Sequence, residues 1–87
     1  PPTPPANVTA ESDGALFLVR WDPSTDEFAP QSLIRYDVYV NGELRAVVVG
    51  NTTAEVENEY GVTHVITVVA VDTADNESAP GTITVGS

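Results

Sequence analysis

The chain has 87 residues, room for a single domain, and carries 13 acidic residues against three Arg and no Lys, a net charge of −10. That balance repels nucleic acid and anionic lipid head groups, so neither is expected as a partner. There is no Cys, which removes disulfides and thiolate chemistry, and no apolar run approaches the length of a membrane span.

Hydrophobic residues make up 41% of the chain, enough for a globular core, and they are rich in Val, with Thr frequent beside them. β-Branched residues lose rotamer freedom on a helix and pack well on a pleated surface, so the composition leans to strands. A domain of this size buries about 60–65% of the surface of its unfolded chain, leaving a modest stability margin.

The opening Pro1-Pro2-Thr3-Pro4-Pro5 favours extended polyproline II and reads as a stiff spacer, with something expected upstream. Residues 1–5 are therefore expected as a linker and 6–87 as the folded domain. A first strand is expected over 7–11, ending at the turn Ser12-Asp13-Gly14. A second covers 15–21, where Leu16-Phe17-Leu18-Val19 is apolar at every position. Its phase follows if Trp21 points inward: Val19, Phe17 and Ala15 then join it, and Leu16, Leu18 and Arg20 face out.

Residues 22–32 form a long loop. A third strand over 33–40 puts Tyr36, Val38 and Val40 on one face and Arg35, Asp37 and Tyr39 on the other. Asn41-Gly42 follows at once, a pair that tolerates positive φ and marks a two-residue hairpin. The fourth strand, 43–49, pairs back on the third, and a fifth fits 53–57 with Ala54 and Val56 on one face. After a bend at 58–61, the sixth strand runs over 63–72 with Ile66, Val68 and Ala70 in one phase. A hairpin loop at 73–78 leads to a seventh strand over 81–85, with Pro80 placed where no ladder donor is needed. Seven short strands and no 3.6-residue pattern indicate an all-β, seven-stranded antiparallel β-sandwich of immunoglobulin-like type, with an open barrel as the alternative.

These residues resemble the fibronectin type III domains over nearly the whole chain, from Pro4 to about Val85. The proline-rich opening fits, as do Phe17-x-Val19-x-Trp21, Tyr36-Asp37-Val38-Tyr39-Val40-Asn41-Gly42, and Ile66-Thr67-Val68-Val69-Ala70-Val71-Asp72 followed by Ala74-Asp75-Asn76-Glu77-Ser78-Ala79-Pro80. The third-strand and last-loop motifs look like those of bacterial secreted proteins. Such modules sit there between catalytic and carbohydrate-binding domains of polysaccharide-degrading enzymes such as chitinases and cellulases. The resemblance implies a non-catalytic spacer or accessory module, extracellular or at the cell surface and monomeric as an isolated domain. Its implied partners are the neighbouring domains of its own polypeptide, and no cofactor is implied. The competing reading is an adhesion or receptor module that binds a protein partner.

The expected core is Phe17, Val19, Trp21, Tyr36, Val38, Ile66, Val68 and Ala70, with His64 at its edge. The family usually places a Tyr at the start of the sixth strand, its hydroxyl tied to backbone near the preceding corner. Counting back from Ala70 puts His64 there. Either the His64 ring donates the equivalent bond or Tyr60 plugs the corner.

Candidate chemistry is sparse. Asp22, Asp26 and Glu27 in one loop and Asp72, Asp75 and Glu77 in another share a pole of this fold, and calcium would suit so oxygen-rich a place. Neither loop has the alternating Asp/Asn spacing of a calcium loop, so solvated turn acids are expected and no metal is assigned. His64 is the one His, no Ser stands in a Gly-x-Ser-x-Gly turn, and there is no phosphate loop, so no catalytic site is expected. A candidate protein-contact face comprises Tyr39, Val65, Val69 and Val71, set against the simpler account that β-branched residues favour strands. The aromatics outside the core, Tyr39, Tyr60 and Phe28, are too scattered for a sugar-stacking platform. Asn-x-Ser/Thr tripeptides at Asn7, Asn51 and Asn76 arise easily by chance in a Thr-rich chain.

Overall fold

The computed structural model describes residues 1–27 and 29–86, and Phe28 lies outside them. In chain order the strands are β1 (Ala6–Asp13), β2 (Leu16–Asp22), β3 (Arg35–Val40), β4 (Glu43–Val49), β5 (Thr53–Glu57), β6 (His64–Val71) and β7 (Gly81–Val85). A short 3-10 turn, Gln31–Leu33, precedes β3. The strands form two antiparallel sheets, β1-β2-β5 and β4-β3-β6-β7. The sandwich reading holds and the open barrel does not.

Local chemistry explains the boundaries. Asn41 and Gly42 both take positive φ, 51° and 84°, as a two-residue turn matched to the strand twist requires. Asn41 also bridges out of its hairpin: its Oδ1 accepts from Val65 N–H at 2.9 Å and its Nδ2 donates to the Thr63 carbonyl at 3.2 Å. The β1–β2 hairpin turns through the 13–15 segment, which leaves Ala15 exposed before β2 rather than inside it.

Alternation then fills the gap between the sheets. Phe17, Val19 and Trp21 from β2, and Ala54 and Val56 from β5, face Tyr36, Val38 and Val40 from β3 and Ile66, Val68 and Ala70 from β6. Ile34, just before β3, completes this cluster. Each fully buried aliphatic or aromatic side chain contributes about 1.5–3 kcal/mol relative to exposure, so this cluster is the main favourable term in folding. Trp21 and Tyr36 meet with ring centroids 5.3 Å apart at a tilt of 54°. The Tyr36 hydroxyl, although buried, accepts the Ser24 N–H at 2.8 Å and so anchors the start of the 22–34 loop to the core.

Residues 1–5 lie against the sandwich. Thr3 N–H donates to the Thr25 carbonyl at 2.8 Å, Thr25 N–H donates to Thr3 Oγ1 at 2.9 Å, and Pro2 and Pro5 are buried. A methyl group at Gly81 would run into the Pro5 carbonyl oxygen, so the absence of a side chain there lets β7 pass beneath the segment. β1 starts beside the end of β2, at Ala6↔Asp22, whereas β7 ends at the opposite pole, at His64↔Val85. The molecule measures 42 × 19 × 18 Å, a short rod.

Removing the Tyr36 hydroxyl alone strands a buried donor. We expect Tyr36→Phe to lower unfolding free energy by about 1–3 kcal/mol in urea titration with an unchanged m value.

Candidate functional site

Both inner faces are consumed by the core, so any contact surface lies on the outer faces, along the strand edges or at the poles. The two outer faces differ. Register places Leu16 between Asp13 and Glu57, and Leu18 between Glu11 and Glu55, so the three-stranded sheet presents acids around two leucines. The four-stranded sheet presents Val47 and Val49 from β4, Tyr39 from β3, and Val65 and Val69 from β6. Leu44, Val47 and Val49 are 53%, 51% and 58% exposed, and Val65 is 42% exposed.

Three of the four expected contact residues lie on this face: Val65 is exposed, and Tyr39 and Val69 are half-buried. Val71 does not join them. It is 1% exposed, because the chain after β6 folds back over the strand end and forms a bridge between Val71 and Glu77. Strand alternation alone puts Val71 outward; the returning loop buries it. The exposed residues of β4 enlarge the face beyond the positions that the sequence suggests, and the Asn41-Gly42 hairpin brings them beside β3.

The same face holds an ion pair. Asp37, buried between its register neighbours Val47 and Val69, accepts from Arg35 Nε at 3.0 Å and Nη2 at 3.4 Å. That hydrogen bond and the Asp37 charge raise the Arg35 pKa above its ordinary value. Arg35 also reaches Asp75 at 3.8 Å, tying β3 to the last hairpin loop.

At the far pole His64 takes the corner position, in the opposite hydrogen-bonding sense from that expected. Its Nε2 accepts the Glu59 N–H at 3.1 Å, and its ring meets Phe17 edge-on at 5.0 Å. With the Nε2 lone pair engaged, the ring proton of neutral His64 sits on Nδ1, and no lone pair is left for a metal. Tyr60 plugs nothing: it is 96% exposed. His64 closes one side of a hollow of about 210 Å³ that Asn41, Glu43, Arg45, Glu57 and Glu59 also line.

The two acidic loops do share a pole; Asp22, Asp72 and Asp75 are engaged separately, and a buried Asp26 oxygen finds no hydrogen-bond partner among the described residues. Asp22 accepts from Asn7 Nδ2 at 2.6 Å, and Asp75 faces Arg35. Asp72 organises its own turn: Oδ1 accepts from Ala74 N–H and Asn76 N–H, each at 2.9 Å, and Oδ2 from Asn76 Nδ2 at 3.0 Å. The backbone bond from Asn76, then its side chain, hold the Asp72 pKa below the usual carboxylate range. Among the described residues no group of three His, Cys, Asp or Glu is placed to hold a metal ion. None of the described helices is long and apolar enough to cross a membrane.

Comparison with solved structures decides the fold type. The chain superposes on the central fibronectin-III array of RIM-binding protein with a TM-score of 0.81 and 27% identity, covering 98% of this chain and 36% of that one. The chain is a fibronectin type III-like domain. It also superposes on the Clostridium perfringens spore cortex lytic enzyme SleM with a TM-score of 0.85 and 18% identity, over 100% of this chain and 29% of that one. The domain thus spans about a third of the length of either chain, and both neighbours are larger multidomain chains. No family model matches the sequence, and no curated protein matches it.

Two outcomes follow for this fibronectin type III-like domain. His64→Phe keeps the ring packing but leaves the Glu59 N–H unmet, and should cost about 1–3 kcal/mol in urea titration, whereas Tyr60→Ser should change stability by less than about 0.5 kcal/mol. For Asp72 the folded pKa is the depressed one, so its contribution is present above the ordinary Asp value of about 3.9 and is lost as pH falls through the folded value. The urea midpoint of Asp72→Asn should therefore lie below that of the wild type at pH 7, and the gap should close on acidification below about pH 4.

Proposed function

We propose that the domain is a non-catalytic spacer or accessory module of a secreted multidomain protein, a bacterial polysaccharide-degrading enzyme. The observation that carries this reading is the rod shape, with β1 entering at one pole and β7 leaving at the other along a 42 Å axis. Such a body holds whatever precedes and follows it at a set separation, where a flexible chain of equal length would not. The docked Thr3–Thr25 segment adds to this by fixing the direction in which the chain enters.

Chemistry supports the non-catalytic part. The chain has no Cys and no Lys, and the lone pair of its one His is engaged in holding a corner. Among the described residues no side chains converge as an activated nucleophile and its base. The likeness to a region of a bacterial lytic enzyme and to an array of fibronectin-III domains fits a module used within larger chains.

The test replaces the domain in its parent polypeptide with a Gly-Ser chain of the same span. Activity on insoluble polysaccharide should fall several-fold while activity on a soluble oligosaccharide is unchanged; equal activity on both would overturn the spacer role. The domain alone should stay in the supernatant over insoluble chitin or cellulose, and clear retention would show a binding module instead.

A further inference from the structure

A β-sandwich has edge strands, and an edge strand offers unpaired backbone groups to any passing strand unless something guards it. Three of the four edges here are guarded. β1 is bulged between Ala6 and Thr9, with Asn7 at a φ of 53°, and carries Glu11 and Asp13. β5 is five residues long with Glu55 and Glu57 on its exposed face. β7 begins beneath Pro5, with β1 alongside. β4 is guarded only at its start, by Glu43, Arg45 and a register shift, with β5 alongside; from there it runs Ala46-Val47-Val48-Val49 with no charge and no Pro.

The phase of the β3–β4 ladder shows which groups are open. Gly50 N–H donates to the Ile34 carbonyl at 2.9 Å, and these residues lie directly opposite in the register that pairs Arg35 with Val49. Hydrogen-bonded pairs alternate along an antiparallel ladder, so Val48 and Ala46 turn their backbone groups toward β3. Val47 and Val49 turn theirs to the open edge, and their side chains are also exposed. Among the described residues no hydrogen bond joins β4 to β5.

We propose that the β4 edge accepts an extended, Lys- or Arg-rich segment of a partner protein as an added strand. Backbone bonds at Val47 and Val49 would supply the register, and alternate apolar side chains of the segment would lie against Val47, Val49 and Tyr39. The occupant is cationic because of what lies beside the edge. β5 runs along the same side of the sandwich with Glu55 and Glu57, and Glu43 and Glu59 flank its end. The two cations nearby are already paired: Arg45 with Glu43 at 3.1 Å and Glu59 at 4.0 Å, and Arg35, opposite Val49, with Asp37 at 3.0 Å. A second copy of this chain would bring a net charge of −10 against the same acids, which disfavours self-pairing.

The probe is an amidated eight-residue peptide alternating Lys and Val, titrated into ¹⁵N-labelled protein at low salt, with its Glu–Val counterpart as control. Val47 and Val49 amides should shift and gain hydrogen-exchange protection with the Lys–Val peptide, and not with the Glu–Val peptide. Val47→Pro removes an outward-facing donor while sparing the β3 ladder, and should weaken binding about tenfold or more. If that variant does not fold, Val49→Lys, which sets a positive charge on the edge, should give a loss of similar size. Equal binding of both peptides, shifts that avoid β4, no binding of the Lys–Val peptide, or a peptide-independent dimer in sedimentation would each overturn the proposal. These outcomes leave the spacer reading untouched, because it concerns the poles and not the edge.

Discussion

No disulfide ties the two sheets together, so beyond the loops that connect them the domain depends on apolar contact across one gap. β2 supplies Phe17, Val19 and Trp21 from one side, and β3 and β6 supply Tyr36, Val38, Ile66, Val68 and Ala70 from the other. Those strands are central in their sheets, and every other strand hangs on them by backbone pairing. A chain this short buries only about 60–65% of the surface of its unfolded state, so its stability margin is modest. A single methyl-sized void in the core therefore takes a large share of the total stability.

What the core cannot supply, side-chain-to-backbone bonds at the two poles supply. Tyr36 holds Ser24 at one end, and Ser78 Oγ accepts Ala70 N–H at 2.9 Å beside it. At the other end His64 holds Glu59, and Asn41 holds both Thr63 and Val65. Each bond satisfies a main-chain group at a place where the chain leaves the ladders, so the loops inherit rigidity from buried side chains. That transfer is what turns a sandwich into a rod with defined ends.

The parts of this arrangement that were legible in the sequence are those governed by nearest neighbours. Period-2 alternation located the inner faces, and the Asn41-Gly42 pair located a hairpin whose φ values only such residues adopt readily. The bounds of β4, β5 and β7 agree with the expected ones for the same reason: turn residues flank each run. Most of the differences are non-local. Val71 is buried by a loop that returns to it, and Thr3 finds Thr25 across a strand pair, whereas Ala15 is lost to the turn next to it. His64 accepts rather than donates because the group that meets its ring is a main-chain N–H, which spacing cannot reveal. The exposed apolar face was half visible, since Tyr39, Val65 and Val69 share a phase; the Asn41-Gly42 hairpin put β4 beside β3, but the register shift near its start and the unbroken Val47-Val48-Val49 hid which of its residues face out.

The division of charge between the outer faces has its own consequence. Salt screens exposed charges over about 8 Å at physiological ionic strength. The sandwich is 18–19 Å across, more than two such lengths. The acids around Leu16 and Leu18 therefore lie beyond screening range of the outer face of the opposite sheet. Only at the side where β4 and β5 run together do the two characters meet within screening range, so it is there that an apolar strand and a row of carboxylates act on the same neighbour.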